Sequence, residues 1–284
     1  MKECKVIAIA NEKGGVGKTT TTAQLGIGLV RDGYKVLLID ADPQGSLTIS
    51  LGVTRPDEID ISLATLMRFA MEDRDMPEVP GIMTHPEGVD FIPSNIELSG
   101  IETSLVNIMS REFVLGDIVQ SLKPAYDYIL IDCMPSLGMM TINAMACADS
   151  LIIPTQPSYL SAKGLNLLLG TVAKVKKNIN PDLEIDGILF TMVDSRTNNA
   201  KDIIAALKKK LGDNLRFFDS MIPRSVRAAE CSISGKSIYS FDRNSKLAAA
   251  YEQFTEEVKN IEERTNDRSW DDWVVWKPVG KRIH

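Results

Sequence analysis

Lys13-Gly14-Gly15-Val16-Gly17-Lys18-Thr19 stands between an apolar run of β type at 6–10 and an amphipathic segment opening at Thr20. Strand, glycine-rich turn and helix in that order make a phosphate-binding loop. The glycines let the backbone curl until consecutive N–H groups and the helix N-terminus aim at phosphate oxygens. Lys18 then places a cation between the terminal phosphates and Thr19 supplies a hydroxyl ligand for Mg2+, while Gly14, Gly15, Val16, Gly17 and Thr20 complete the cradle. The implied ligand is ATP or GTP. The ordinary pattern has its first glycine five residues before the last; here Glu12 occupies that place and Lys13 follows it. A lysine so early in the loop cannot easily curl onto its own nucleotide. It is available to reach phosphate across a dimer interface, as an arginine finger does when supplied in trans.

Outward from the loop, apolar and β-branched runs recur at 5–10, 35–40, 89–93, 128–132, 150–154 and 185–192, with a weaker one at 215–222, and helix-period stretches follow them. Continuous apolar strands are covered on both faces. The expected fold class is therefore α/β, a mostly parallel twisted sheet flanked by helices, with its ligand at the carboxyl ends of the strands. A polar stretch at 53–88, containing proline and methionine, reads as an insertion at the sheet edge with one short amphipathic helix from Ser62 to about Met71. Longer helices are expected at 159–179 and 245–263. The nucleotide-binding domain would run over 1–263. The tail at 264–284 carries Trp270, Trp273 and Trp276 interleaved with Asp271, Asp272 and two valines. Its aromatics either fold back onto the body or dock on a partner or a membrane surface; acids beside the rings make anionic lipid a poor target.

A chain of 284 residues can bury a full core, and one large domain fits the length. Cys4, Cys133, Cys147 and Cys231 show no paired spacing, and two histidines make no zinc-type cluster, which suits a reduced, cytoplasmic protein. No leader and no run near the ~20 apolar residues of a membrane span is evident. The formal net charge of -6 argues against a nucleic-acid partner, but its distribution does not. Residues 196–246 hold eleven Lys and Arg against five acids, a local +6 that leaves -12 elsewhere. Because screening confines interactions to roughly 10 Å, such a segment can attract a polyanion on an acidic protein; the alternative is a solvated helix face.

Two carboxylate sites complete the machinery. The second strand delivers Asp40-Ala41-Asp42-Pro43-Gln44, and the 128–132 strand delivers Asp132. Asp132 is placed to hold Mg2+ through water, with Asp40 behind it. Asp42 is the candidate for orienting attacking water, since Pro43 turns the chain over the cleft; alternatively it caps a helix beginning near Gln44. Lys13, Lys18 and Asp42 are the expected catalytic residues of phosphoryl transfer. None of them reads as a strong base, so hydrolysis should be slow, as suits a switch.

The segments Lys13-Gly-Gly-Val-Gly-Lys-Thr-Thr20, Leu37-Leu-Ile-Asp-Ala-Asp-Pro-Gln44 and Tyr128-Ile-Leu-Ile-Asp-Cys-Met-Pro-Ser-Leu-Gly138 together resemble the ParA/Soj-type partition ATPases, in the wider group with MinD that shares a deviant Walker A loop. Thr141-Ile-Asn-Ala144, residues 187–198, Ile222-Pro-Arg-Ser-Val-Arg227 and Ser234-Gly-Lys236 extend the match from about residue 5 to 261. The resemblance implies an ATP-sandwich homodimer in which Lys13 reaches the partner's nucleotide. It further implies Mg2+ as cofactor, ATP-dependent binding of double-stranded DNA without sequence preference, and a ParB-type partner that stimulates hydrolysis, all in a nucleoid-associated cytoplasmic protein. It places Arg196 and Arg224, with Arg227 and Lys236 beside them, on DNA phosphate, and Pro223 and Ser225 at the adenine. Position 225 is Ser where Asn is usual, Met134 replaces a proline, and Arg243 replaces another. A MinD-like membrane cycle or a protein cargo is the alternative, but the mixed charge of the tail and Pro278 fit a membrane helix poorly.

Overall fold

The computed structural model describes residues 3–75, 77, 81–194, 197–212 and 214–261. In chain order its elements are β1 (Lys5–Ile9), α1 (Lys18–Arg31), β2 (Val36–Ala41), α2 (Ser46–Ser50), α3 (Leu63–Met71), β3 (Met83–Thr84), β4 (Asp90–Ile92), α4 (Leu98–Leu105), α5 (Val114–Leu122), β5 (Tyr128–Cys133), α6 (Met139–Cys147), β6 (Ser150–Thr155), α7 (Tyr159–Asn178), β7 (Glu184–Val193), α8 (Asn198–Leu211), β8 (Phe217–Pro223), α9 (Arg227–Ile233), α10 (Ile238–Phe241) and α11 (Lys246–Lys259).

The strands form one sheet of eight in the order β3-β4-β2-β5-β1-β6-β7-β8, parallel throughout except for the antiparallel pair β3–β4. The P-loop strand β1 lies between β5 and β6, so its carboxyl end opens at the middle of the sheet. Side-chain alternation divides the core in two. Val6 and Ala8 of β1, with Leu37, Ile39, Ile129 and Ile131, face a layer that includes α3–α8; Ile7, Ile9, Leu38 and Leu130 face α1, α2, α10 and α11. Both faces are buried, and this is why β2, β5 and β6 read as unbroken apolar runs.

The expected strands are present, and the short edge strand β3 is additional to them. Within 53–88, α3 starts at a capping box in which the Ser62 side chain and Thr65 hydroxyl bond reciprocally to backbone N–H groups. It buries Leu63, Ala64, Leu66 and Met67, so this helix contributes to the core, while β3 supplies the edge. Among the described residues no helix is long and apolar enough to cross a membrane.

Candidate nucleotide site and basic face

β1 ends at Ile9 and α1 starts at Lys18. The intervening loop is held from two neighbouring strand ends. Gly15 O accepts a hydrogen bond from Gln156 Nε2 at 2.9 Å and Val16 O accepts one from Thr191 Oγ1 at 2.7 Å. Asn11 Nδ2 donates to Pro154 O (2.8 Å), and its Oδ1 accepts from the Lys13 N–H (3.0 Å). Gly17 closes the loop at φ +86°, a left-handed conformation costly for any residue with a Cβ. No side chain caps α1 and its first turn holds no acid, which leaves its free N–H groups and the positive end of its dipole facing the cleft. Thr20 is half-buried in that first turn.

Three charged residues meet behind the loop. Lys18 is buried, with Nζ 3.3 Å from Lys13 O. Burial pulls its ammonium below the usual lysine range, opposed by the Asp132 charge. Thr19 Oγ1 donates to Asp132 Oδ2 at 2.7 Å, and Thr22 Oγ1 to the other oxygen at 3.3 Å. Asp40 and Asp132 are register partners on β2 and β5. Burial, then the neighbouring Asp40 carboxylate, pushes Asp132 up to about 8. Asp40 is pushed up to about 6 by burial, although Thr48 donates to Oδ2 from both its N–H (2.8 Å) and its hydroxyl (2.7 Å). Two buried carboxylates and the Thr19 hydroxyl offer hard oxygens of the kind Mg2+ takes, with the Lys18 ammonium beside them as a separate charge.

Asp40 also orients the next acid, for its Oδ1 accepts the Asp42 N–H at 3.2 Å. Asp42 is half-buried, and its own carboxylate accepts the Gln44 N–H at 2.9 Å. This is a local Asx turn rather than a helix cap, since α2 begins at Ser46 with Gly45 as its cap residue. Lys13 Nζ rests 3.5 Å from Gln156 Oε1 and 3.4 Å from Ser158 Oγ of the same chain. Beside these groups a cavity of about 310 Å³ opens between the ends of β6, β7 and β8, lined by Gln156, Pro157, Met192, Asp194, Thr197 and Arg224 among others. Pro223 closes β8 opposite Val193. Ser225 is turned inward on its own segment, its Oγ accepting the Arg227 N–H at 3.2 Å.

A family model described as an AAA domain matches residues 4–185. The sporulation initiation inhibitor protein Soj of Bacillus subtilis is 43% identical over 254 residues, covering 89% of this chain and 98% of that protein. The chain belongs to the ParA/Soj family of partition ATPases. Among solved structures, cobyrinic acid a,c-diamide synthase from Mycobacterium smegmatis with bound ATP analog and magnesium superposes with TM-score 0.77 at 34% identity, covering 89% of this chain and 93% of that one. A putative plasmid partition protein from Borrelia burgdorferi B31 bound to AMPPNP gives TM-score 0.73 at 27% identity, covering 90% and 99%. The fold is accordingly that of the P-loop ATPases of ParA/MinD type.

In this ParA-family chain the residues expected on DNA are unequal. Arg196 lies outside the described residues. Arg224 and Lys236 are exposed and, among the described residues, have no carboxylate within 4 Å. Arg227 differs: its guanidinium is paired with Glu230 at 2.8 Å and with Asp242 at 3.5 Å. Lys208, Lys209 and Lys210 sit in the last turn of α8, where a helix dipole already favours cations.

The turn carrying Lys236 is tied to the β3–β4 connection and to the residue pair that follows α2. Gly235 (φ +61°) packs so closely on Gly52, just beyond α2, that a Cβ there would lie 2.7 Å from Gly52 Cα. His85 Nδ1 accepts the Glu87 N–H, so its Nε2 is the donor to Gly235 O at 3.0 Å. Glu87 in turn accepts from the Ser237 N–H (2.8 Å), the Ser237 hydroxyl and the Ser240 hydroxyl.

Sequence reasoning missed Gln156 and Thr191, which brace the loop, and Thr48, which holds the Asp40 carboxylate. One signal was available, because Gln156 and Thr191 stand at the carboxyl ends of β6 and β7, where open α/β sheets place their ligands.

Proposed function

We propose that this ParA-family chain is an ATP-fuelled switch. With ATP bound it forms a homodimer that holds double-stranded DNA without sequence preference; hydrolysis releases it, and a ParB-type partner accelerates that step to move or space DNA cargo. The observation that supports this reading is Lys13: its ammonium turns to Gln156 Oε1 (3.5 Å) and Ser158 Oγ (3.4 Å) at the end of β6, while Lys18 of the same loop is the buried cation at the start of α1. Lys18 and the α1 N-terminus bind the phosphates, and Pro223 and Ser225 flank the base. Thr19 and, through water, Asp132 would hold Mg2+, with Asp40 behind them; the ion neutralises phosphate charge when bound. Asp42, oriented by Asp40, positions water in line with the terminal phosphate, and Lys13 of a second copy adds positive charge to the transferred group. Arg224, Lys236 and Arg196 contact DNA phosphate, Arg227 to a lesser degree.

DNA retention measured with ATP, ADP and no nucleotide tests the reading. Dimerising doubles the phosphate contacts, and affinity rises steeply with their number, so only ATP should support retention, and added salt should abolish it. Asp42→Ala should lower turnover by roughly 100-fold and leave the protein on DNA. Equal retention with ADP and ATP would overturn the switch; normal turnover in the variant would overturn the role of Asp42.

A further inference from the structure

The three tryptophans of the chain, Trp270, Trp273 and Trp276, all come after Ile261, the last residue described. From Trp270 to Trp276 the sequence holds Asp271, Asp272 and two valines but no cation, so this heptad is both aromatic and acidic. Surface of complementary character lies on α9. Ile233 is 86% exposed and Val226, at the helix start, 76%. With the exposed Ala229 they stand three and then four residues apart and share one face, while the other face is taken up by buried Cys231 and by Ala228 packed on the core. Arg224 and Lys236, the cations without a carboxylate partner described above, flank the stripe.

We propose that the 270–276 segment docks on this stripe within the same chain, its rings and valines covering Val226, Ala229 and Ile233 and its two aspartates facing Arg224 and Lys236. Reach and side both agree. Arg227 of α9 is ion-paired to Asp242, whose carbonyl accepts the Ser245 N–H at the start of α11, so α9 adjoins the first end of α11. The tail leaves from the other end of that 14-residue helix, about 21 Å away. The nine steps from Ile261 to Trp270 extend to about 30 Å. Among the described residues a second exposed apolar group, Val106, Met109 and Phe113, belongs to the α4–α5 side, in the opposite helical layer, and its cation Arg111 is already paired with Glu112 at 3.2 Å.

One consequence rests on the proposed function: an acidic segment over Arg224 and Lys236 occupies cations that DNA would use, so the docked tail competes with DNA. Because every tryptophan lies in the segment, intrinsic emission of the full chain reads docking directly, whether or not the protein binds DNA. Blue-shifted emission protected from acrylamide is expected. Ile233→Asp, at a site too exposed to unsettle the fold, should shift emission to the red and remove the protection with no change in melting temperature. Lys236→Glu should do so in part. Tryptophans fully open to the quencher in the unmodified chain, or protection unchanged by Ile233→Asp, would overturn the proposal; protection lost on dilution would also overturn it, in favour of a second copy as the occupant. Replacing all three tryptophans by alanine should raise ATP-dependent DNA retention. If emission behaves as expected and no variant is retained on DNA, docking stands and the DNA-switch reading falls.

Discussion

The nucleotide pocket and the basic face both depend on charge, and they handle it in opposite ways. Behind the loop, Lys18, Asp40 and Asp132 are all buried, and each is held by specific donors or acceptors. On the face, Arg224 and Lys236 stand in solvent and Arg227 is neutralised by two acids. A buried charge acts at low dielectric against fixed partners, so removing one has a large local effect. An exposed charge is screened, and only the sum of several holds a polyanion. On the proposed reading, chemistry belongs to the pocket and reversible attachment to the face.

The comparison breaks first at Lys18. Lys18→Ala removes the buried ammonium opposed to the Asp132 carboxylate, proposed above to meet the phosphates, and should weaken nucleotide binding by about 3 kcal/mol, a factor of roughly 100, in calorimetric titration with ATP and magnesium. A tenfold smaller loss would mean that the loop N–H groups carry the phosphates unaided. The face should respond more gently and unevenly. Arg224→Glu is expected to lower DNA retention on the order of tenfold at moderate salt, since each dimer loses two contacts, while ATP affinity holds. Arg227→Ala should change it by less than about twofold, because Glu230 and Asp242 already neutralise that guanidinium. Arg224 also lines the cavity beside Met192, so a parallel fall in ATP affinity would move it from the face to the pocket.

The same contrast explains what could be read in advance. The loop, Asp40 and Asp132 are legible because each sits at the end of an apolar strand, and strand period plus glycines are local patterns. The bracing of the loop is not local: Gln156 reaches Gly15 across 141 positions and Thr191 reaches Val16 across 175. Nothing in a linear pattern announces such pairs; the rules for parallel crossovers narrow the sheet orders that could create them without selecting one. Strand β3, at two residues, is too short to show a period. Arg227 reads as one more cation until folding brings Asp242 beside it. The eleven cations of the 196–246 segment are thus not equally free to meet a polyanion, although the net +6 already counts Glu230 and Asp242 against them.

The smallest expected effect concerns the join between the Lys236 turn and the β3–β4 connection, where Glu87 receives the N–H and hydroxyl of Ser237 and the hydroxyl of Ser240. Burial works to raise the Glu87 carboxyl, but these hydrogen bonds, with His85 nearby, outweigh it and hold the group below the usual glutamate range. A carboxyl depressed in the folded state contributes stability that is fully present above the unfolded value, about 4.3, and is lost as pH falls through the folded one. Glu87→Gln should therefore cost about 1 kcal/mol at neutral pH, and the gap between variant and parent melting temperatures should narrow on acidification below pH ~4.3. Thermal melts at stepped pH read both quantities. A gap that stayed constant into acid would show that Glu87 carries no charge-dependent share of the join. A gap closing by neutral pH would show that its carboxyl is raised, and that burial outweighs its three donors.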